Sequence, residues 1–296
     1  MPGLDPRLEG LPDVPGVTHR MVDIGELSLH VAEAGRGEPL VLLHGWPQNW
    51  YTWRHVIPEL ARHYHVYAPD LRGFGWSDAP ASGYQKEQLA SDMLGLLDEL
   101  NIGPVRLVGH DWGGFTGFLM CLREPDRFQG YLALNIVTPW INRGAALRNL
   151  HRSWYQLGMA SGLGGRLLMA KPPWLNGLVR RAAVDPGAWS AAEMDVYLDR
   201  LTQPARAHAS VQVYRELLLR EAPAWLAGRY DGQRLEVPTL MLFGEADVAI
   251  STSMLMGFEA HADDMRLELV PGVGHFIADE RPDLVVAAAL RFFGRE

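Results

Sequence analysis

The segment VRLVGHDWGG, residues 105–114, constrains this chain more than any other. An apolar strand pattern at 105–108 runs into Gly109, and a helical pattern at 114–123 follows at once. Between them lies Gly109-x-Asp111-x-Gly113. Glycines on both sides of Asp111 permit a turn too tight for residues with a Cβ. Such a turn lifts the Asp111 side chain above the end of the strand and aims backbone N–H groups at it. A chain that passes so abruptly from strand to helix belongs to a mostly parallel sheet covered by helices.

The rest of the sequence fits that class. Strand patterns are read at 27–32, 40–43, 66–68, 131–134, 239–243 and 267–270, and helices at 86–100 and 282–293. The first 16 residues hold four prolines and read as a surface arm. Between about Trp140 and Asp231 the pattern becomes helical, rich in Trp and Arg, without a convincing strand. Because strands resume afterwards, this stretch reads as a helical lid inserted into one α/β core. The expected division is a core of 1–138 with 232–296, and a cap of 139–231.

An aspartate at the turn carries a chemical implication. A serine that attacked saturated carbon would form an ether, which water cleaves poorly. A carboxylate forms an ester, which water can cleave. Aspartate, with a reference pKa of about 3.9, also needs no base to ionise it at neutral pH. A histidine is then free to activate the water of a second step. Two further segments supply the partners. FGEAD (243–247) follows a strand and places Asp247, with Glu245 as a competing acid, where it can orient a histidine. PGVGH (271–275) follows the last strand and presents His275. Nucleophile, acid and histidine come in the chain order of the α/β-hydrolase fold. HGWP (44–47) follows the strand at 40–43. The N–H groups of Trp46 and Trp112 are expected to converge on Asp111 as an oxyanion site. Trp46, Trp112 and Trp140 are expected to wall the substrate pocket.

Composition removes other classes. The formal net charge of −8 and the lack of a long basic run argue against a nucleic-acid partner. The single cysteine, Cys121, permits no intrachain disulfide and no cysteine metal cage. No apolar run reaches the ~18 residues of a membrane helix, so no membrane partner is expected. The N-terminus lacks the pattern of a signal peptide. A cytoplasmic enzyme, monomeric or homodimeric, without metal or organic cofactor, is the expectation.

HGWPQNWYTWR (44–54), DLRGFGWSD (70–78), VGHDWGG (108–114) and PGVGHF (271–276) together resemble the epoxide hydrolases of the α/β-hydrolase superfamily. The resemblance spans nearly the whole chain beyond residue 17 and is weakest in the lid. It implies Asp111 as nucleophile, Asp247 as orienting acid, His275 as general base, and an apolar epoxide as substrate. It also implies two lid tyrosines that protonate the opening ring. VQVYR (211–215) resembles the second of these and assigns it to Tyr214. For the first, HRSWYQ (151–156) offers His151 or Tyr155, four residues apart and able to share a helix face. The related haloalkane dehalogenases, with the same Asp-Trp pair, remain an alternative, as does a binding protein that has lost catalysis.

Overall fold

The computed structural model describes residues 5–170 and 173–294, without the side chains of Leu150 and Ser153. In chain order the elements are β1 (Thr18–Asp23), β2 (Ser28–Gly35), β3 (Pro39–Leu43), α1 (Ile57–Leu60), β4 (His65–Pro69), α2 (Lys86–Glu99), β5 (Val105–His110), α3 (Asp111–Arg123) and β6 (Phe128–Leu134). A helical segment follows, with α4 (Arg143–Arg148), α5 (Trp154–Ala160), α6 (Gly164–Met169), α7 (Pro173–Arg181), α8 (Ala191–Leu201) and α9 (Pro204–Glu216). A π-helical turn at Leu217–Glu221 leads into α10 (Ala222–Leu226). The chain closes with β7 (Thr239–Gly244), β8 (Met265–Val270), α11 (Ile277–Glu280) and α12 (Pro282–Phe292).

The strands form one eight-stranded sheet in the order β1-β2-β4-β3-β5-β6-β7-β8. β1 and β2 pair antiparallel, as do β2 and β4, and every later pair is parallel. Both faces are covered, which is why β3 reads as the unbroken apolar run LVLL. Its Val41 and Leu43 face the layer that holds α2 and α3, while Leu40 and Leu42 face the layer of α1 and α12. The first of these layers continues into the helical segment through Tyr197, Tyr214, Leu217 and Trp225. That continuity explains how the segment stays seated on the sheet: it shares the core rather than resting on it.

Register sets the site. Leu43 lies beside Gly109, Gly109 beside Ala133, Ala133 beside Met241, and Met241 beside Leu267. The carboxyl ends of β3, β5, β6, β7 and β8 therefore finish along one edge, and the loops that follow them meet there.

Two departures from the sequence reading occur at the amino end. β1 carries no apolar alternation, since only Val22 is buried, and as an edge strand it needs none. The stretch before it is docked rather than free: Leu8 and Val14 are buried, and the Glu9 carbonyl accepts bonds from the Trp76 indole (3.0 Å) and Arg200 (2.6 Å).

Candidate active site

β5 ends at His110, and Asp111 opens α3 with φ of +49°. That left-handed conformation is strained for a residue with a side chain, and the surroundings enforce it. A Cβ on Gly113 would stand 2.3 Å from the His44 carbonyl oxygen, and one on Gly45 would stand 2.4 Å from the Asp111 Cβ. The HGWP loop and the elbow are thus pressed together until only glycine fits. In that position the Trp46 amide donates to Asp111 Oδ2 at 2.8 Å. The Trp112 amide also bonds the carboxylate. Burial raises the Asp111 pKa, while the neighbouring His275 and the two amides oppose the rise. Both amides expected to form an oxyanion site are therefore aimed at the carboxyl group of Asp111.

His275 lies across from it, with Nε2 3.9 Å from Asp111 Oδ1. Its Nδ1 meets Asp247 Oδ2 at 2.7 Å. Asp247 is buried and saturated: Asn135 Nδ2 donates to Oδ2 (2.9 Å), and the amides of Ala249 and Ile250 donate to Oδ1 (2.7 and 2.9 Å). The competing acid Glu245 is exposed. Burial alone would depress the His275 pKa; the charge and hydrogen bond of Asp247, then the charge of Asp111, outweigh it and raise it to about 9. For Asp247, burial is outweighed by His275 and Asn135, and its pKa is lowered.

Two residues that hold this arrangement were not found in the sequence. Asn135 directly follows β6, the strand beside β7, and bonds both Asp247 and the Gly274 carbonyl (3.1 Å). An asparagine after a strand carries no local signal of such a role. Asp279, four residues past His275, accepts from Gln48 (2.6 Å), Thr52 (2.9 Å) and Arg54 (2.5 Å). It ties the loop after β3 to the loop that carries His275. Its signal was a carboxylate soon after the histidine, and nothing local pairs it with residues more than two hundred positions earlier. His110, beside the nucleophile, braces the same loop, with Nε2 2.8 Å from the His275 carbonyl.

Above the carboxylate stand two phenols. Tyr155, on α5, and Tyr214, on α9, have ring centroids 6.0 Å apart. Trp46 lies 6.5 Å from Tyr155 and 5.3 Å from Tyr214, and Trp112 lies 6.4 Å from Tyr214. Burial raises the Tyr155 pKa to about 12 and raises that of Tyr214 as well, with Asp111 adding to both. Both phenols are protonated at neutral pH. His151 is not in this pair. It is exposed, and its Nδ1 lies 3.2 Å from the Arg148 carbonyl, although it borders the same cavity. The spacing of four residues was read as one shared helix face. The break is that His151 belongs to a short 3-10 turn before α5 begins at Trp154.

Two chambers meet at Asp111, His275 and Tyr155. One, of about 180 Å³, is walled by Trp112, Ile136, Leu217, Trp225 and Met254. The other, of about 460 Å³, is walled by Trp46, Val179, Tyr214 and Phe276. Trp140, expected as a pocket wall, lines neither. Its indole donates to the Tyr230 carbonyl (2.7 Å) and its ring stacks on His261. Among the described residues no group of three His, Cys, Asp or Glu side chains is arranged to hold a metal ion.

Comparison with known proteins agrees with this architecture. The alpha/beta hydrolase fold family matches residues 38–157. A soluble epoxide hydrolase of Corynebacterium sp. (strain C12) is 30% identical, over 94% of this chain and 97% of its own. The chain belongs to the α/β-hydrolase family. A fluoroacetate dehalogenase of Burkholderia sp is likewise 30% identical to this α/β-hydrolase, over 90% of this chain and 91% of its own. The solved structure of the epoxide hydrolase CorEH without ligand superposes with a TM-score of 0.79 at 29% identity, over 94% of this chain and 98% of that one. The chain is a hydrolase of epoxide hydrolase-like type, with dehalogenases among its relatives.

Proposed function

We propose that this hydrolase opens apolar epoxides to vicinal diols through an ester on Asp111, with residues 139–231 acting as the cap. The observation that carries the reading is the pair of protonated phenols, Tyr155 and Tyr214, facing the carboxylate. An opening epoxide develops an alkoxide and needs a proton; a departing halide needs only N–H donors. The indole N–H donors are already engaged. Trp46 Nε1 donates to Ser210 Oγ at 3.2 Å, and the Trp112 indole interacts with the Tyr214 hydroxyl.

In the first step Asp111 Oδ1 bonds to one ring carbon, the carbon–oxygen bond breaks, and a phenol proton passes to the alkoxide. The ester no longer carries the charge that helped raise the His275 pKa, so the imidazolium gives up its proton to solvent and stands neutral when a base is required. In the second step neutral His275 takes a proton from water, and the hydroxide adds to the Asp111 carbonyl carbon. The Trp46 and Trp112 amides hold the oxyanion. Collapse expels the diol, which takes the proton from His275. The carboxylic acid re-ionises, and its proton restores the phenol.

The likeness to a fluoroacetate dehalogenase supports a second reading, carbon–halogen hydrolysis by the same carboxylate. Styrene oxide and a set of bromoalkanes separate them. Diol without bromide is expected, and bromide without diol overturns the proposal. A single turnover in heavy-oxygen water tests the ester: label must enter Asp111 first, and label in the diol alone would exclude that intermediate.

A further inference from the structure

Charge and apolar surface are distributed unevenly in this chain. Its net charge is −8, yet residues 141–184 hold seven Lys and Arg and no Asp or Glu. The same segment exposes large apolar side chains. Trp154, Leu157 and Leu163 are 68%, 66% and 62% exposed, and Leu167, Met169 and Trp174 are close to half exposed. Solitary exposed apolar residues are ordinary, but a cluster of this kind marks a contact surface.

The helices bring these residues together. α5 and α6 pack side by side on α9. A surface groove between α5, α6 and α7 is walled by Trp154, Leu167, Trp174 and Arg181, and no acid lines it. On α7, Trp174, Gly177 and Arg181 stand at i, i+3 and i+7, a single helix face turned to the groove. Arg166 and Arg181 are exposed and have no carboxylate partner among the described residues. The groove shares Trp154, Tyr155, Leu178 and Arg181 with the larger chamber at Asp111.

From this combination we infer that the outer face of α5–α7 docks on the surface of an anionic lipid bilayer. Tryptophan and leucine enter the boundary between headgroups and acyl chains, while arginines meet the lipid phosphates, the usual division of labour on interfacial surfaces. A second copy of the chain suits the face less well. Self-complementary pairing would set one acid-free basic segment against another. A protein partner seated here would stopper the groove, whereas a bilayer would place its mouth against a reservoir of apolar molecules. The contact is peripheral, since no described helix is long and apolar enough to cross a membrane. The inference stands apart from the reaction catalysed.

The test is flotation of the protein with vesicles of phosphatidylcholine, with and without phosphatidylglycerol. Binding is expected with phosphatidylglycerol only, weakening as salt is raised. Leu157→Ser with Leu163→Ser, and separately Arg166→Glu, change residues outside both chambers. Each should weaken partition at least about fivefold, the share of one basic residue near an anionic surface. Near-ultraviolet circular dichroism and melting temperature should match the parent chain. No flotation at low salt, or flotation indifferent to these substitutions, overturns the inference. So does sedimentation velocity showing a dimer that the same substitutions dissociate, which would make the face an interface between copies.

Discussion

The floor and the roof of the site are built by different means. Asp111 opens the helix that follows β5, and Asp247 and His275 sit on the loops after β7 and β8. Their charged atoms are met by backbone amides, by Asn135, and by one another. The roof offers two neutral phenols on helices, held by ring packing against Trp46 and Trp112. The contrast follows from the cost of burying each kind of group. An ionised side chain out of water must have each lone pair satisfied, and strand ends in register supply donors at fixed positions. A phenol needs only shape around its ring and one polar neighbour, which a helix can offer.

The largest effect should come from the floor. Asp111→Asn removes the attacking charge, and turnover should fall by at least about 10⁴-fold, the scale for losing a nucleophile from a unit that acts together. The same change should lower the His275 pKa, because one of the charges that raises it is gone. The consequence for stability has a definite sign. With a folded pKa of about 9 against an ordinary 6.5, His275 stabilises the fold fully below pH 6.5, and that contribution is lost as pH rises through about 9. In Asp111→Asn the loss should occur at lower pH. Melting curves between these limits would show it, and an unchanged pH dependence would mean that Asp111 does not act on the imidazole.

The roof has a buried ionic anchor beside Trp112, and breaking it tests how far the roof depends on it. Lys86, fully buried at the start of α2, donates to Glu221 Oε2 (2.8 Å), and its Nζ lies 4.1 Å from the Trp112 ring centroid. Glu221 Oε1 accepts from the Lys86 amide (2.6 Å), and Glu221 ends the π-helical turn that follows α9. Glu221→Gln leaves the ammonium buried without its counter-charge and should cost about 3–5 kcal/mol in denaturant unfolding. Lys86→Met with Glu221→Leu should recover most of that loss, because an apolar pair of similar volume replaces the ion pair. A loss in Glu221→Gln below about 1 kcal/mol would instead place the pair among solvated contacts.

Next in size is Tyr214→Phe. Loss of one of two proposed proton donors should reduce epoxide turnover by about 10²-fold, the low end for general acid catalysis, since Tyr155 remains. Affinity should change little and the fold should be unaltered. Turnover within a few-fold of the parent chain would remove Tyr214 from the chemistry.

The two halves were not equally legible. The floor could be read because each of its parts has a local signature: a glycine-flanked aspartate between strand and helix, an acid after one strand, and a glycine-framed histidine after the next. The parallel order of the strands then brings them together without further information. Asn135 and Asp279 escaped because their partners are joined to them only through the sheet and through a long-range polar network. In the roof, Tyr214 stands inside a long helix, and its motif located it. HRSWYQ did not separate His151 from Tyr155, because the segment starts as a 3-10 turn and becomes α-helical at Trp154. Counting by four assumes a regular helix, and the change of pitch turns His151 outward. Trp140 misled for a related reason: its large apolar ring suggests a pocket wall, while its N–H is committed to a core carbonyl.

The smallest effect sharpens that last distinction. His151→Ala removes an exposed imidazole whose Nδ1 lies against the Arg148 carbonyl rather than the cavity centre. Tyr155→Phe removes a hydroxyl that faces both chambers beside Asp111. The histidine variant should stay within about twofold of the parent turnover, a barrier change near ~0.4 kcal/mol, while the tyrosine variant loses at least about tenfold, or ~1.4 kcal/mol. Because both residues border the larger chamber, the discriminating readout is the rate of ester formation in a single turnover rather than substrate binding. A tenfold fall in that rate for His151→Ala, with Tyr155→Phe indifferent, would mean that the imidazole swings inward when substrate is present. The roof would then have to be redrawn as a His/Tyr pair, with Tyr155 reduced to a wall between the two chambers.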